Sequence, residues 1–365
     1  MKKAICIGFV AVLFAALLLT LLLPDQAFSD MENRYLAKKP EFSLSSVLSG
    51  KWMNDMETYL ADQFPGRTFF VRTKATINYL LGQREIGGAY LGADGQLFEV
   101  FDKDPDADRL DKNAAILSQF ASAQTGSVYF LPVYSAFTLY PDRLPAFVEE
   151  PDEREILLSL ALPDTVTVAN AYDALIAHRS EALYFRTDHH WTQDGAYLAY
   201  EAYCAAAGLS PVEDLVRKES AQPFYGSLFS KAPIWGLAGD RLWYYEIPRQ
   251  VQVTYDLDKV SDSLYTFSAL EEKDQYRFFL DGNHARVDIE TDAGTGRTLV
   301  VLQDSFAHAL IPFLANHYDR IVVLDLRYYN LPVSEVLQEN PGADILLTYN
   351  LSWLAQDQNL VKLLR

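Results

Sequence analysis

Three short apolar runs near the C-terminus constrain this chain more than any other feature. Thr298–Leu302, Ile321–Leu326 and Asp344–Thr348 show little polar alternation, and helical patterns follow them at Phe306–His317, Ser334–Glu339 and the terminus. A strand that lacks alternation is buried on both faces, and strands that alternate with helices form a parallel sheet covered on each side. Ser127–Val133 and Thr165–Ala169 read as two further short strands. Helices are expected over Leu110–Gln124, 153–161, Ala171–His178 and about Asp194–Ala207. The predicted fold class is therefore α/β, with a three-layer parallel sheet.

The rest of the chain divides by texture. Lys2 and Lys3 precede an uncharged, largely apolar run from Ala4 to Leu23, closed by Pro24 and Asp25. At about 1.5 Å per residue such a run spans a bilayer, and its positive flank stays inside. Ala27-Phe28-Ser29 resembles a signal-peptidase site, so a cleaved signal peptide is the alternative. The length of the run favours an uncleaved anchor, and both readings export the body of the protein. Residues 31–60 carry Leu44, Val47, Leu48, Trp52, Met53, Met56 and Leu60 at helical spacing, and Thr68–Leu81 reads as another helix. Tyr90–Phe98 reads as a hairpin turning at Ala93-Asp94-Gly95. Residues 211–297 are rich in Pro, Gly, Trp and Tyr, with alternating patches such as Val251–Tyr255, and read as a β-rich insertion. The expected segments are 1–30 (anchor and tether), 31–210, 211–297 (insertion) and 298–365.

A net charge of −18 without clustered basic residues argues against a nucleic-acid partner. It is compatible with a neutral sugar or a surface polymer. The two cysteines, Cys6 in the apolar run and Cys204 in an apolar helical pattern, say nothing about redox compartment.

Functional groups in open α/β sheets gather at the carboxyl ends of the strands. Ser305 follows the strand Thr298–Leu302, where a helix N-terminus would supply N–H groups to an oxyanion. Serine also caps helices well, so the position alone does not assign chemistry. Asp188-His189-His190-Trp191 supplies an Asp-x-His pair, in which histidine would act as base and the carboxylate would fix its tautomer. In an extended loop Asp188 and His190 project to one side and His189 to the other. A structural histidine pair, or a metal site adding His284 or His308, are the alternatives, although no HExxH-like spacing is present. Asn350 closes the last strand, where it could donate to an oxyanion or simply form a turn. Together the three segments suggest acyl transfer.

The Asp188–Trp191 tetrad resembles the signature of the DHHW family of bacterial proteins. That family is related to the periplasmic alginate O-acetylation proteins of the SGNH hydrolase superfamily. The resemblance includes Glu32-Asn33-Arg34, the segment Asp62–Arg67, Tyr90-Leu91-Gly92 with Gly95-Gln96-Leu97, Asp304-Ser305-Phe306 with Pro312-Phe313, and the segment Asp325–Tyr329. It implies an SGNH-like fold in circularly permuted order, with the Asp-x-His-Trp segment before the serine. It implies Ser305 as nucleophile, His190 as base, Asp188 as orienting carboxylate, and Ser305 with Asn350 as oxyanion donors. Gln303 stands where the superfamily block has glycine, and Arg327 or Tyr328 occupies the space of the second block. Trp191, Arg327 and Tyr328 are the expected substrate contacts, with Trp235, Trp243 and Tyr244 as further sugar-stacking candidates, although aromatics in such a chain are more often core. No cofactor is expected. The implied activity is O-acetyl transfer to a cell-surface or secreted polysaccharide, or its hydrolysis, with a membrane-embedded acyltransferase as donor partner. A non-catalytic polysaccharide-binding scaffold is the alternative.

Overall fold

In chain order the strands of the central sheet are β1 (Val128–Val133), β2 (Val166–Val168), β3 (Val251–Tyr255), β4 (Lys259–Ser261), β5 (Arg286–Thr291), β6 (Thr298–Gln303), β7 (Arg320–Asp325) and β8 (Asp344–Asn350). These belong to a computed structural model that describes residues 2–101 and 104–365. Met1 of the expected anchor and residues 102–103 of the segment after it lie outside the described residues. The spatial order is β4-β3-β5-β7-β6-β8-β1-β2. Strands β7, β6, β8, β1 and β2 run parallel, while β5 pairs antiparallel with β7 and with β3, and β3 with β4. The sheet is thus mixed rather than parallel throughout. The parallel part follows from the apolar runs: β6, β7 and β8 are buried along almost their whole length. The antiparallel part comes from 211–297, whose alternating strands extend the same sheet.

The expected helix Phe306–His317 is interrupted. A 3-10 turn covers Ser305–Ala309 and a one-turn helix covers Ile311–Leu314. Pro312 explains the break, because it has no N–H to bond the carbonyl of residue 308 and its ring crowds that turn.

Two units are distinguished, residues 1–87 with 229–237, and 88–228 with 238–365. In the first, the helix Lys2–Leu22 contains a span, Lys3–Leu22, of mean hydropathy 2.9, long and apolar enough to cross a membrane. The Glu32–Arg34 and Asp62–Arg67 segments meet in one ion-pair cluster. Arg34 holds the buried Asp62 carboxylate with contacts of 2.6 and 3.0 Å, and Arg67 holds Glu32 at 2.8 and 2.9 Å. The hydrogen bond from Arg34 leads the interactions that keep the Asp62 carboxyl below its ordinary range. These two sequence motifs therefore serve the architecture of the first unit.

Candidate active site

Chain order reverses at β6: β7 follows on one side and β8 on the other. Such a switch point opens a crevice beyond the carboxyl ends of the strands. Register keeps those ends level, since Gln303 pairs with both Asp325 and Thr348, and Asn350 pairs with Val133. Ser305, Arg327, Asn350 and Ser135 consequently share one edge.

Asp304, rather than Ser305, caps the turn after β6. Its Oδ1 accepts from the Phe306 N–H at 3.0 Å and its Oδ2 from the Asn350 N–H at 2.7 Å. The hydroxyl of Ser305 is thereby left for another partner. Burial pushes the Asp304 carboxyl up to about 6, against the two N–H donors that favour its charged form.

That partner is His190. Its Nε2 lies 2.8 Å from Ser305 Oγ, and its Nδ1 lies 2.6 Å from Asp188 Oδ1. A carboxylate only accepts, so Nδ1 carries the proton and Nε2 is free to take one from the serine. The carboxylate is itself held on both oxygens, by the His190 N–H at 3.0 Å and the Ser227 N–H at 2.7 Å. Burial works to raise the Asp188 carboxyl, but the His190 and His189 rings and the hydrogen bonds it accepts bring it well below its ordinary range. Burial, and secondarily His189, lowers the basicity of His190, with Asp188 opposing both.

Several elements fix this loop. Asp240 accepts from the Thr187 N–H at 2.8 Å, the Thr187 hydroxyl at 2.6 Å and Arg186 Nε at 3.1 Å. The hairpin of strands Ala89–Leu91 and Leu97–Glu99 donates from the Leu97 N–H to the Arg186 carbonyl at 2.8 Å, and from the Gln96 amide to the Phe185 carbonyl at 3.0 Å. A Cβ at Gly226 would lie 2.3 Å from Asp188 Oδ2, so only glycine lets the chain pass there. Asp240, Gly226 and Ser227 had no recognisable signal in the sequence.

The other expected residues fall out unevenly. Trp191 is 0% exposed and donates its indole N–H to the Phe306 carbonyl at 2.8 Å. It cannot stack on a sugar as it stands, and instead ties the histidine loop to the serine turn. Asn350 is also fully buried. Its amide nitrogen donates to Ser135 Oγ at 2.9 Å and the Val133 carbonyl at 3.4 Å, while its oxygen caps the following helix through the Trp353 N–H at 3.1 Å. Both amide hydrogens are engaged, so donation to an oxyanion would require those bonds to be given up. The Ser305 N–H has no hydrogen-bond acceptor among the described residues. Arg327 grips Asp325, with Nη2 at 2.6 Å, and reaches Asn283 at 3.2 Å; Tyr328 beside it is exposed. Trp243 is half-buried under Arg217, Tyr244 packs against Tyr265 and Phe278, and Trp235, in the first unit, lies under Arg72.

His189 does not point away. Its ring lies 3.9 Å from that of His190, and its Nδ1 meets Ser227 Oγ at 2.8 Å. The backbone bends through both residues rather than running extended, which removes the alternation expected of them. Asp188, His189 and His190 could offer three ligand atoms within 4.8 Å of one another. The atoms of Asp188 and His190 are already engaged in the chain to Ser305. His284 instead bonds Asp256 at 2.7 Å and Asp281 at 3.3 Å. His308 is buried, and burial holds it well below the ordinary imidazole range.

One ring absent from the sequence reading completes the site. Tyr276, on a 3-10 turn at Gln275–Phe278, stacks on His190 with centroids 3.7 Å apart and planes within 6°. Nothing distinguishes it in the sequence from the other tyrosines.

Fold and site together define an α/β protein with a serine–histidine–aspartate hydrogen-bond chain at a switch point of its sheet. The resemblance to the DHHW family holds: the family described as "DHHW protein" matches residues 151–324. The crystal structure of a DHHW family protein from Eubacterium siraeum superposes with a TM-score of 0.65 at 25% identity, covering 76% of this chain and 95% of that one. Bacillus cereus PatB1, solved with a sulfonyl adduct, gives a TM-score of 0.62 at 24% identity over 75% of this chain and 97% of that one, a likeness of fold. A Pseudomonas syringae pv. tomato protein named "Probable alginate O-acetylase AlgJ" is 27% identical over 247 residues, which are 61% of this chain. The match spans 60% of that protein's own length.

Proposed function

We propose that this protein is an exported O-acetyltransferase or acetylesterase acting on a polysaccharide through Ser305, His190 and Asp188. The observation that carries the reading is the unbroken chain from Ser305 Oγ through His190 to Asp188, at 2.8 and 2.6 Å. A serine hydroxyl is a weak nucleophile near neutral pH, and this contact is what activation requires. His190 takes the hydroxyl proton as Oγ attacks the carbonyl carbon of an acetyl ester. The Ser305 N–H stabilises the oxyanion. Collapse expels the alcohol, which receives the proton from His190, and leaves acetyl-Ser305. A sugar hydroxyl, or water, then gives its proton to His190 and takes the acetyl group, restoring the serine. The name of the Pseudomonas syringae relative supports a polysaccharide as acceptor. The apolar helix Lys2–Leu22 supports attachment to a membrane with the remainder outside, where a membrane-embedded acyltransferase would supply acetyl groups. Arg327 and Tyr328, at the end of the neighbouring β7, are the proposed substrate contacts.

The purified protein should hydrolyse p-nitrophenyl acetate, and Ser305→Ala and His190→Ala should each abolish this. Activity that survives Ser305→Ala and falls with chelator would establish a metal-dependent reaction instead. Inert protein that still retains a polysaccharide would establish a scaffold.

A further inference from the structure

The acyl-transfer reading gives His190 a positive charge while the oxyanion exists, because the ring then holds two protons. The groups that face this ring come from several elements. Asp188 and His189 lie on its own loop, Glu99 on the strand Leu97–Glu99, and Ser305 with His308 on the turn after β6. Asp274, on the approach to the 275–278 turn, lies near Asp188. Among the described residues only Asp188 is hydrogen-bonded to the ring as an anion, and it meets the edge at Nδ1. The face is covered by Tyr276, nearly parallel at 3.7 Å. Its phenol ring is buried, and its hydroxyl donates to the Ser305 carbonyl at 3.3 Å. One side chain therefore touches both partners of the proton transfer. An aromatic face carries negative charge density and attracts a cation placed over it.

We propose that Tyr276 is a positioning residue for the reaction: it fixes the plane of His190 so that Nε2 points at Ser305, and its π face stabilises the imidazolium as it forms. This rests on the acyl-transfer reading for its role in turnover, but its effect on the ring is independent of turnover. Tyr276→Phe keeps the π face and removes the hydroxyl. Tyr276→Leu and Tyr276→Met keep an apolar cover and remove the face; two such variants guard against one failing to fold.

The test follows the His190 ring by NMR through a pH titration in the wild-type protein and the three variants. His190 is expected to protonate at lower pH in Tyr276→Leu and Tyr276→Met than in the wild type, with Tyr276→Phe close to the wild type. In p-nitrophenyl acetate hydrolysis kcat should fall about tenfold in the same two variants, with KM within about twofold and Tyr276→Phe largely active. Unchanged or higher protonation in Tyr276→Leu and Tyr276→Met, or a fall equally large in Tyr276→Phe, would overturn the proposal. A wild-type protein without esterase activity would refute the acyl-transfer reading alone, since the titration would still decide what Tyr276 does to the ring.

Discussion

Strands β6, β7 and β8 place the serine, whereas the stretch 211–297 fixes the histidine and its carboxylate. In the first region each residue position follows from a rule of sheets: apolar runs make buried parallel strands, and the strand ends present polar groups at a switch point. In the second region position follows from single close contacts. Gly226 makes room for Asp188, the Ser227 N–H holds its Oδ2, Asp240 anchors Thr187, and Tyr276 covers His190. A regular scaffold can thus carry the proposed nucleophile, while an irregular stretch gives the proposed base its geometry and environment.

Substitutions separate the two contributions. Asp188→Asn removes the acceptor that fixes the Nδ1 proton and should lower kcat about 10³- to 10⁴-fold with the fold intact by circular dichroism. Gly226→Ala puts a methyl group where Asp188 Oδ2 lies, and should lower kcat about 10²-fold while β6 to β8 remain unperturbed in the melting curve. Equal activity in Gly226→Ala and wild type would show that the 211–297 stretch does not set the base. A third effect is on pH. Burial lowers the protonation of His190, so the base stays free below the ordinary imidazole range, and the acid limb of kcat/KM should fall below pH about 6.5. The same shift makes folding stability fall as pH drops from that ordinary range through the lowered value, because the unfolded chain then binds a proton that the folded chain refuses. The smallest effect on turnover is expected on the parallel side. Asn350→Ala loses a helix cap and the bonds to Ser135 and Val133, which should cost about 2 kcal/mol of stability, seen in urea unfolding, with kcat within tenfold of wild type. A much larger loss of kcat would return Asn350 to the oxyanion site.

How far the sequence was legible follows the same division. The five parallel strands, the serine at the end of β6 and the Asp-x-His pair were readable because burial periodicity and residue chemistry are local. The antiparallel extension by β3, β4 and β5 was not, since alternating strands give no sign of which sheet they join. Trp191 was expected to contact substrate and is instead buried, because a tryptophan with one buried hydrogen-bond partner and one that stacks on a ligand look alike in sequence. His189 was misplaced because a bend replaces the extended backbone on which alternation depends.

In the proposed reaction every acetyl group passes through Ser305. Incubating the wild-type protein with p-nitrophenyl acetate at acid pH, quenching rapidly and measuring its intact mass tests this directly. The expected result is a rise of one acetyl group, located on Ser305 by peptide analysis and absent from Ser305→Ala. Turnover with the label on another residue, or undiminished in Ser305→Ala, would contradict it.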